Sequence, residues 1–157
     1  MNYKKVDFMP RFLAALIDGV IGWVPVFIPV IGALIGAAYL LLKDGVMYQF
    51  TKDDEWKNRS IGKKIMKLEV VKLDEGYVDL AVSAKRNIPL IIGSIIAIIP
   101  LLGWVLGPII SIAFIIIELI AYLSDDTGRR LGDRWANTQV IQVEQAEQYD
   151  EDISEEL

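Results

Sequence analysis

The sequence predicts an all-α membrane protein: four transmembrane helices in two tandem hairpins, joined to amphipathic cytosolic helices and a small cytosolic β element. Three observations lead there. Between Phe12 and Leu42 the only charge is Asp18, and between Asn87 and Leu123 the only charge is Glu118. Each of these stretches exceeds the roughly 20 residues that one crossing helix needs. Each is also broken near its middle, by Pro25 and Pro29 in the first and by Pro100, Gly103, Gly107 and Pro108 in the second. Finally, the chain is written twice. Arg11–Val71 runs through an arginine, a broken apolar stretch, Gly22-Trp23-Val24, Ala38-Tyr39-Leu40 and Ser60-Ile61-Gly62-Lys63-Lys64 into Val70-Val71. Arg86–Ile141 repeats that order through Gly103-Trp104-Val105, Ala121-Tyr122-Leu123 and Arg130-Leu131-Gly132-Asp133-Arg134 into Val140-Ile141.

Proline removes an amide donor and clashes with the preceding turn, so the breakers divide each stretch into a hairpin. The expected spans lie near Asp7–Val26, Val30–Tyr48, Ala84–Ile99 and Pro108–Ser124. Some are short, which makes local bilayer thinning an expected accommodation. The rival is two long kinked helices, which would need strong tilt. All 16 Lys and Arg lie outside the two hairpin tips. By the positive-inside rule, both termini and the middle loop are then cytoplasmic. Trp23 and Trp104 fall near the tips, where interfacial tryptophan is expected. Arg11 and Asp18 interrupt what would be a signal peptide's apolar core, so the first helix is expected to act as an uncleaved anchor.

Between the hairpins, Ser60–Leu68 places Ile61, Ile65 and Leu68 at helical spacing, with Lys63, Lys64 and Lys67 as a basic, lipid-facing side. That pattern suits a short interfacial helix on anionic head groups. Arg130–Ala136 is a weaker copy. Each runs into a strand-like patch, Glu69–Leu73 or Thr138–Val143, and Tyr77–Leu80 is a third patch after an Asp74-Glu75-Gly76 turn. These are expected to pair into a cytosolic sheet.

Composition narrows the function. Apolar residues make up 54% of the 157, and the mean hydropathy is +0.40, high for a soluble domain. The chain reads as one membrane domain over residues 1–143, with repeats at about 11–71 and 86–141. The tail from Glu144 to Leu157 follows, holds seven of the 21 acids and no base, and is expected to be disordered. There is no Cys and no His, which removes thiolate metal ligands, a cysteine nucleophile and the usual general base near neutral pH. An enzyme is therefore not expected, no cofactor is implied, and the ligation of a metal is unknown. Ile61-Gly62-Lys63-Lys64 lacks the first Gly and the final hydroxyl of a phosphate loop. The basic residues hug the membrane edges, which speaks against nucleic acid.

Asp18 and Glu118 are the candidate ion or proton sites. An acid at a helix centre costs ~2.5–3.5 kcal/mol on the insertion scale, so each needs a partner or a proton. Asp18 reads either as a latch to Arg11, on the same helical face, or to an arginine of the cytosolic segment, or as a carboxylate that binds a proton or small cation. Glu118, at similar depth, either snorkels toward the interface, or meets Arg86 or Arg130, or shares a cation or proton with Asp18. Arg11, Arg86, Arg129, Arg130 and Asp133 form a candidate charge network, with Arg130 and Asp133 spaced to pair on a helix. Gly32 and Gly36 have the spacing of a close helix contact, whereas Gly103 and Gly107 fall where a turn is expected.

These residues carry a resemblance. Arg11-Phe12-Leu13-Ala14-Ala15-Leu16-Ile17-Asp18 opens the first span, and Ser60-Ile61-Gly62-Lys63-Lys64 with Leu68-Glu69-Val70-Val71 follows the second. Lys85-Arg86-Asn87 opens the third, and Arg129-Arg130-Leu131-Gly132-Asp133-Arg134 with Asn137-Thr138 closes the domain. The pattern resembles the RDD family of bacterial membrane proteins, named for an arginine and two aspartates, here matching Arg11, Asp18 and Asp133. The resemblance covers roughly Arg11–Val143. The chain departs from it at Gly132, where a His often precedes the last Asp. It implies an integral membrane protein, and cation/proton antiport is proposed for some members; with four spans the chain is expected to be a multi-pass protein of the bacterial inner membrane. The expected function is thus a cation- or proton-linked transport component using intramembrane carboxylates. The alternative is a non-transporting scaffold that binds lipid or a partner through basic amphipathic helices. Expected partners are anionic lipid head groups, a monovalent cation or proton, and further copies of the chain.

Overall fold

The computed structural model describes residues 3–28, 31–74, 76–97, 99–146 and 148. It is mostly helical. Helix α1 spans Phe8–Trp23 and tightens into a 3₁₀ turn over Val24–Phe27, where Pro25 enters. Pro10 sits in the first turn of α1, where the missing amide has no intrahelical partner to lose. Helix α2 spans Gly32–Thr51 and ends at Lys52, whose φ of 55° turns the chain out of the helix. Ser60 caps α3, Ile61–Ile65, by accepting from the Lys63 amide. Strand β1 is Leu68–Lys72. Asp79 caps α4, Leu80–Ile96, by accepting from the Val82 amide at 2.7 Å. Helix α5 is Leu102–Ser124, α6 is Leu131–Trp135 and β2 is Thr138–Gln142.

The two halves share one order of elements, helix–helix–short helix–strand. They also share a turn: Lys67 and Asn137, each just before its strand, have φ of 52° and 50°. The strands pair antiparallel with Val70 opposite Val140 and Lys72 opposite Thr138. Helix α2 packs on α1 and α4, α4 packs on α5, α3 packs under α1, and α6 packs under α4.

Polarity is inverted relative to a water-soluble core. Asp18, Asp44, Arg86, Asn87 and Asp133 are fully buried, while α5 turns Trp104, Val105, Ile109, Ile112, Ile116 and Ile120 outward. Apolar surface on that scale needs an apolar solvent. Phe8–Phe27 and Leu102–Ser124 are each long and apolar enough to cross a membrane.

Several boundaries differ from expectation. Pro108 lies inside α5 rather than at its start, and Leu102 begins the helix. Gly103 and Gly107 therefore sit in a helix contact with α4, against Ile96 and Gly93, not in a turn. Gly32 and Gly36 lie against the Pro25 and Gly22 carbonyls, an intramolecular contact as expected. The sheet has two strands among the described residues. Tyr77–Leu80 forms no third, because Asn58 Oδ1 takes the Val78 amide at 2.7 Å and Asp79 starts α4. Pro29, Val30, Glu75, Ile98 and residues 147 and 149–157 of the acidic tail lie outside the described residues. Glu144 to Ala146 are helical.

Candidate functional site

The buried charges gather where the long helices meet α3 and α6. Asp18 projects from α1 toward the start of α3. Its Oδ2 accepts from Lys43 Nζ at 2.9 Å and from Ser60 Oγ at 2.6 Å. Its Oδ1 accepts from the Gly62 amide at 2.8 Å and from Tyr39 Oη at 3.3 Å. A carboxylate offers about four acceptor positions, so Asp18 is saturated. Its expected partner Arg11 is engaged elsewhere, and the latch is to Lys43 of α2. Position 62 has to be glycine for this contact, since a Cβ would collide with the Ala14 carbonyl of α1.

Next comes Asp44, beside Lys43 on α2. Its Oδ1 pairs with Lys63 Nζ at 2.5 Å, and its Oδ2 accepts from Asn87 Nδ2 at 3.1 Å and faces Arg86 Nη1 at 3.5 Å. Lys63 is thereby a correction. It is buried, not lipid-facing, because close packing of α3 on α1 through Gly62 turns position 63 in toward α2. Of the basic trio, Lys64 lies over the Trp56 ring at 3.9 Å and pairs with Glu55 at 2.8 Å, and Lys67 is exposed.

The third centre is Asp133 of α6. Its Oδ1 binds Arg86 Nη2 at 2.7 Å, and its Oδ2 binds Arg11 Nη2 at 2.8 Å and the Arg130 amide at 3.2 Å. Arg130 Nη2 approaches at 3.4 Å. Burial alone would raise the Asp133 pKa, but Arg130, Arg86 and Arg11 hold it well below the usual carboxylate range. Arg129 stands outside this centre. Its Nε donates to the Thr138 carbonyl of β2 at 3.0 Å.

Glu118 of α5 repeats for α6 what Asp18 does for α3. Its Oε1 accepts from the Gly132 amide at 3.1 Å, and a Cβ at Gly132 would collide with the Arg86 carbonyl. Its Oε2 differs from every Asp18 oxygen: it is buried and has no hydrogen-bond partner. No hydrogen bond joins the two acids among the described residues, and no carboxylate cluster among those residues has the form of a metal site.

A cavity of about 180 Å³ opens over this network. Arg11, Lys43, Lys63, Arg86, Arg130 and Glu118 supply its charged lining. The sequence model of the RDD family matches residues 5–137. The chain belongs to the RDD family. RDD proteins are membrane proteins, in keeping with the outward apolar helices. No match was found among curated proteins or solved structures.

In this RDD protein the arginine and the last aspartate of the family pattern form one ion pair, Arg11–Asp133, while the other aspartate, Asp18, belongs to a second. Sequence reasoning missed Lys43, Asp44 and Lys63 as network members. The signal was present, since Lys43-Asp44 puts two adjacent charges inside a predicted span, where charge is expensive.

Proposed function

We propose that the protein is a small multi-pass component of the bacterial inner membrane that couples its work to protons, with Glu118 as the working carboxylate and Asp18 as a structural latch. One observation carries the assignment. Glu118 keeps a buried oxygen free at the wall of the cavity, whereas both Asp18 oxygens are occupied. A lining with five cationic side chains and one acid suits a proton on Glu118 better than a bound metal cation.

Four spans support this arrangement. Helices α2 and α4, with 20 and 17 residues, reach about 30 and 26 Å at 1.5 Å per residue, near the hydrocarbon thickness. The basic residues gather at the α3/α6 end, which makes that end and both termini cytoplasmic. The matched order of elements and the paired Gly62 and Gly132 contacts favour an origin by tandem duplication, with repeats related by an axis along the membrane normal.

Proton flux into proteoliposomes tests the assignment. Wild type should move protons, Glu118→Gln should not, and both should melt at similar temperatures. Asp18→Asn should melt lower. Wild-type vesicles that move no protons under any ion gradient would favour the second reading, a non-transporting scaffold. That alternative draws on the dense ion pairing, which ties α1, α2, α4 and α6 together. Its basic surface for lipid or a partner is reduced to Lys64 and Lys67.

A further inference from the structure

The cavity lining is one-sided. Arg11, Lys43, Lys63, Arg86 and Arg130 line it with Glu118 as the one acid among the described residues, while Asp18, Asp44 and Asp133 pair with those cations from outside the lining. Guanidinium donors are left over. Arg86 Nε and Arg130 Nε are buried donors without a hydrogen-bond partner, Arg86 has no accessible surface, and both residues line the cavity.

The opposite wall is of another kind. Phe12 and Ala15 of α1 face Ile115 and Leu119 of α5 across the cavity, and all four are exposed. Helices α1 and α5 are not packed along their lengths. They meet at one end, where the Phe8 and Tyr122 rings lie 6.0 Å apart and Tyr122 Oη donates to the Val6 carbonyl just before α1 at 2.8 Å. A cleft thus runs from the hydrocarbon, between two apolar helix faces, down to unpaired guanidinium donors.

We propose that this cleft binds one anionic phospholipid, with its phosphodiester on Arg130 and Arg11, the partly accessible guanidinium groups of the lining, and an acyl chain between α1 and α5. A phosphodiester carries a single negative charge, which suits a lining of five cations and one acid, and its oxygens accept from guanidinium groups in the geometry arginine favours. The cavity of about 180 Å³ far exceeds the ~10–15 Å³ that admits one water and leaves room for a phosphate. Free inorganic phosphate has the same head chemistry but leaves the apolar wall unused. The proposal does not depend on whether protons move.

Native mass spectrometry of the full chain, released from a maltoside detergent, tests it. With dioleoyl phosphatidylglycerol, dioleoyl phosphatidylcholine and inorganic phosphate offered separately, one phosphatidylglycerol per chain should survive activation that strips the other two. Ala15→Trp, which fills the cleft and touches no charge, should lower phosphatidylglycerol retention about tenfold without lowering the lipid-free melting temperature. Ile115→Trp on the facing helix should do the same and serves if Ala15→Trp does not fold. Arg130→Gln should also lower retention. Equal retention of the two lipids, displacement of phosphatidylglycerol by inorganic phosphate, or full retention in the tryptophan variants would each overturn the proposal.

Discussion

Arg86 donates to Asp133 at 2.7 Å with neither side chain accessible, and this pair ties the third long helix to the last short one. Removing one member of such a pair strands the other, at a typical cost of 3–5 kcal/mol. Asp133→Asn should therefore lower unfolding stability by about 4 kcal/mol, as measured by denaturant titration in mixed micelles. The pH profile carries a second expectation. The folded pKa of Asp133 lies below its unfolded value, near 3.9, so its contribution is complete above that value and is lost as pH falls toward the folded pKa. The difference between wild type and Asp133→Asn should hold constant from pH 5 to 7 and shrink below about pH 4. A difference that changes between pH 5 and 7 would contradict the assignment.

The pair of Lys43 and Asp18 makes a distinct claim about coupling. Either single change, Asp18→Asn or Lys43→Met, leaves the partner charge buried, whereas the double change removes both. A double-mutant cycle should return an interaction of about 1–3 kcal/mol, with the double variant more stable than the sum of the singles implies. Strict additivity would mean that Ser60, Gly62 and Tyr39 hold Asp18 without Lys43. Pairing Asp18→Asn with Arg11→Gln supplies the contrast. Arg11 binds Asp133 and the Gly128 carbonyl, not Asp18, so that cycle should be near additive.

Glycine substitutions separate close approach from mere helicity. A methyl at Gly62 or Gly132 meets the carbonyl of Ala14 or Arg86, while one at Gly19 of α1 meets nothing within 4 Å. Gly62→Ala and Gly132→Ala should each cost about 1–3 kcal/mol, as overpacking does. Gly19→Ala should instead stabilise by about 0.5–1 kcal/mol through helix propensity. Thermal unfolding of the three variants side by side checks the opposite signs. A neutral Gly62→Ala would show that α3 can lift from α1 without losing the Asp18 contact.

What the sequence exposed and what it hid follow from the range of each interaction. Asp18 and Glu118 stand out because each is the lone charge in its apolar run. The element order is likewise visible, because repeated local motifs produce repeated local structure. The partner of Asp18 is not visible. Arg11 shares its helical face, but Lys43 reaches it only when α2 packs on α1, and pairing across helices depends on register that no local pattern encodes. Pro108 misled in the other direction. The carbonyl freed by a proline within a membrane helix can be re-satisfied locally, so α5 runs through it and begins at Leu102. Lys63 read as part of a basic surface because helical spacing says which residues share a face, not which face a neighbour covers. Tyr77–Leu80 had strand composition, yet the Asn58 side chain takes the Val78 amide and Asp79 starts α4 by capping it.

Lys63 carries a penalty when charged, where Asp133 contributes stability, although stability rises with pH for both. Burial pulls its pKa from 10.5 down to about 8, against the attraction of Asp44 and, more weakly, Asp18, while Lys43 and Arg86 push the same way as burial. Between those two values the unfolded chain holds a proton that the folded chain has released, so stability rises with pH across that interval. Below about pH 8 both states carry the charge and the penalty is constant. The Nζ resonance of ¹⁵N-labelled Lys63, assigned by its loss in Lys63→Met, should titrate with a midpoint near 8. Asp44→Asn removes the strongest attraction holding the ammonium and should move that midpoint lower. A wild-type midpoint at 10 or above would mean that the Asp44 pair outweighs burial, and that Lys63 stays charged throughout the range in which the protein works.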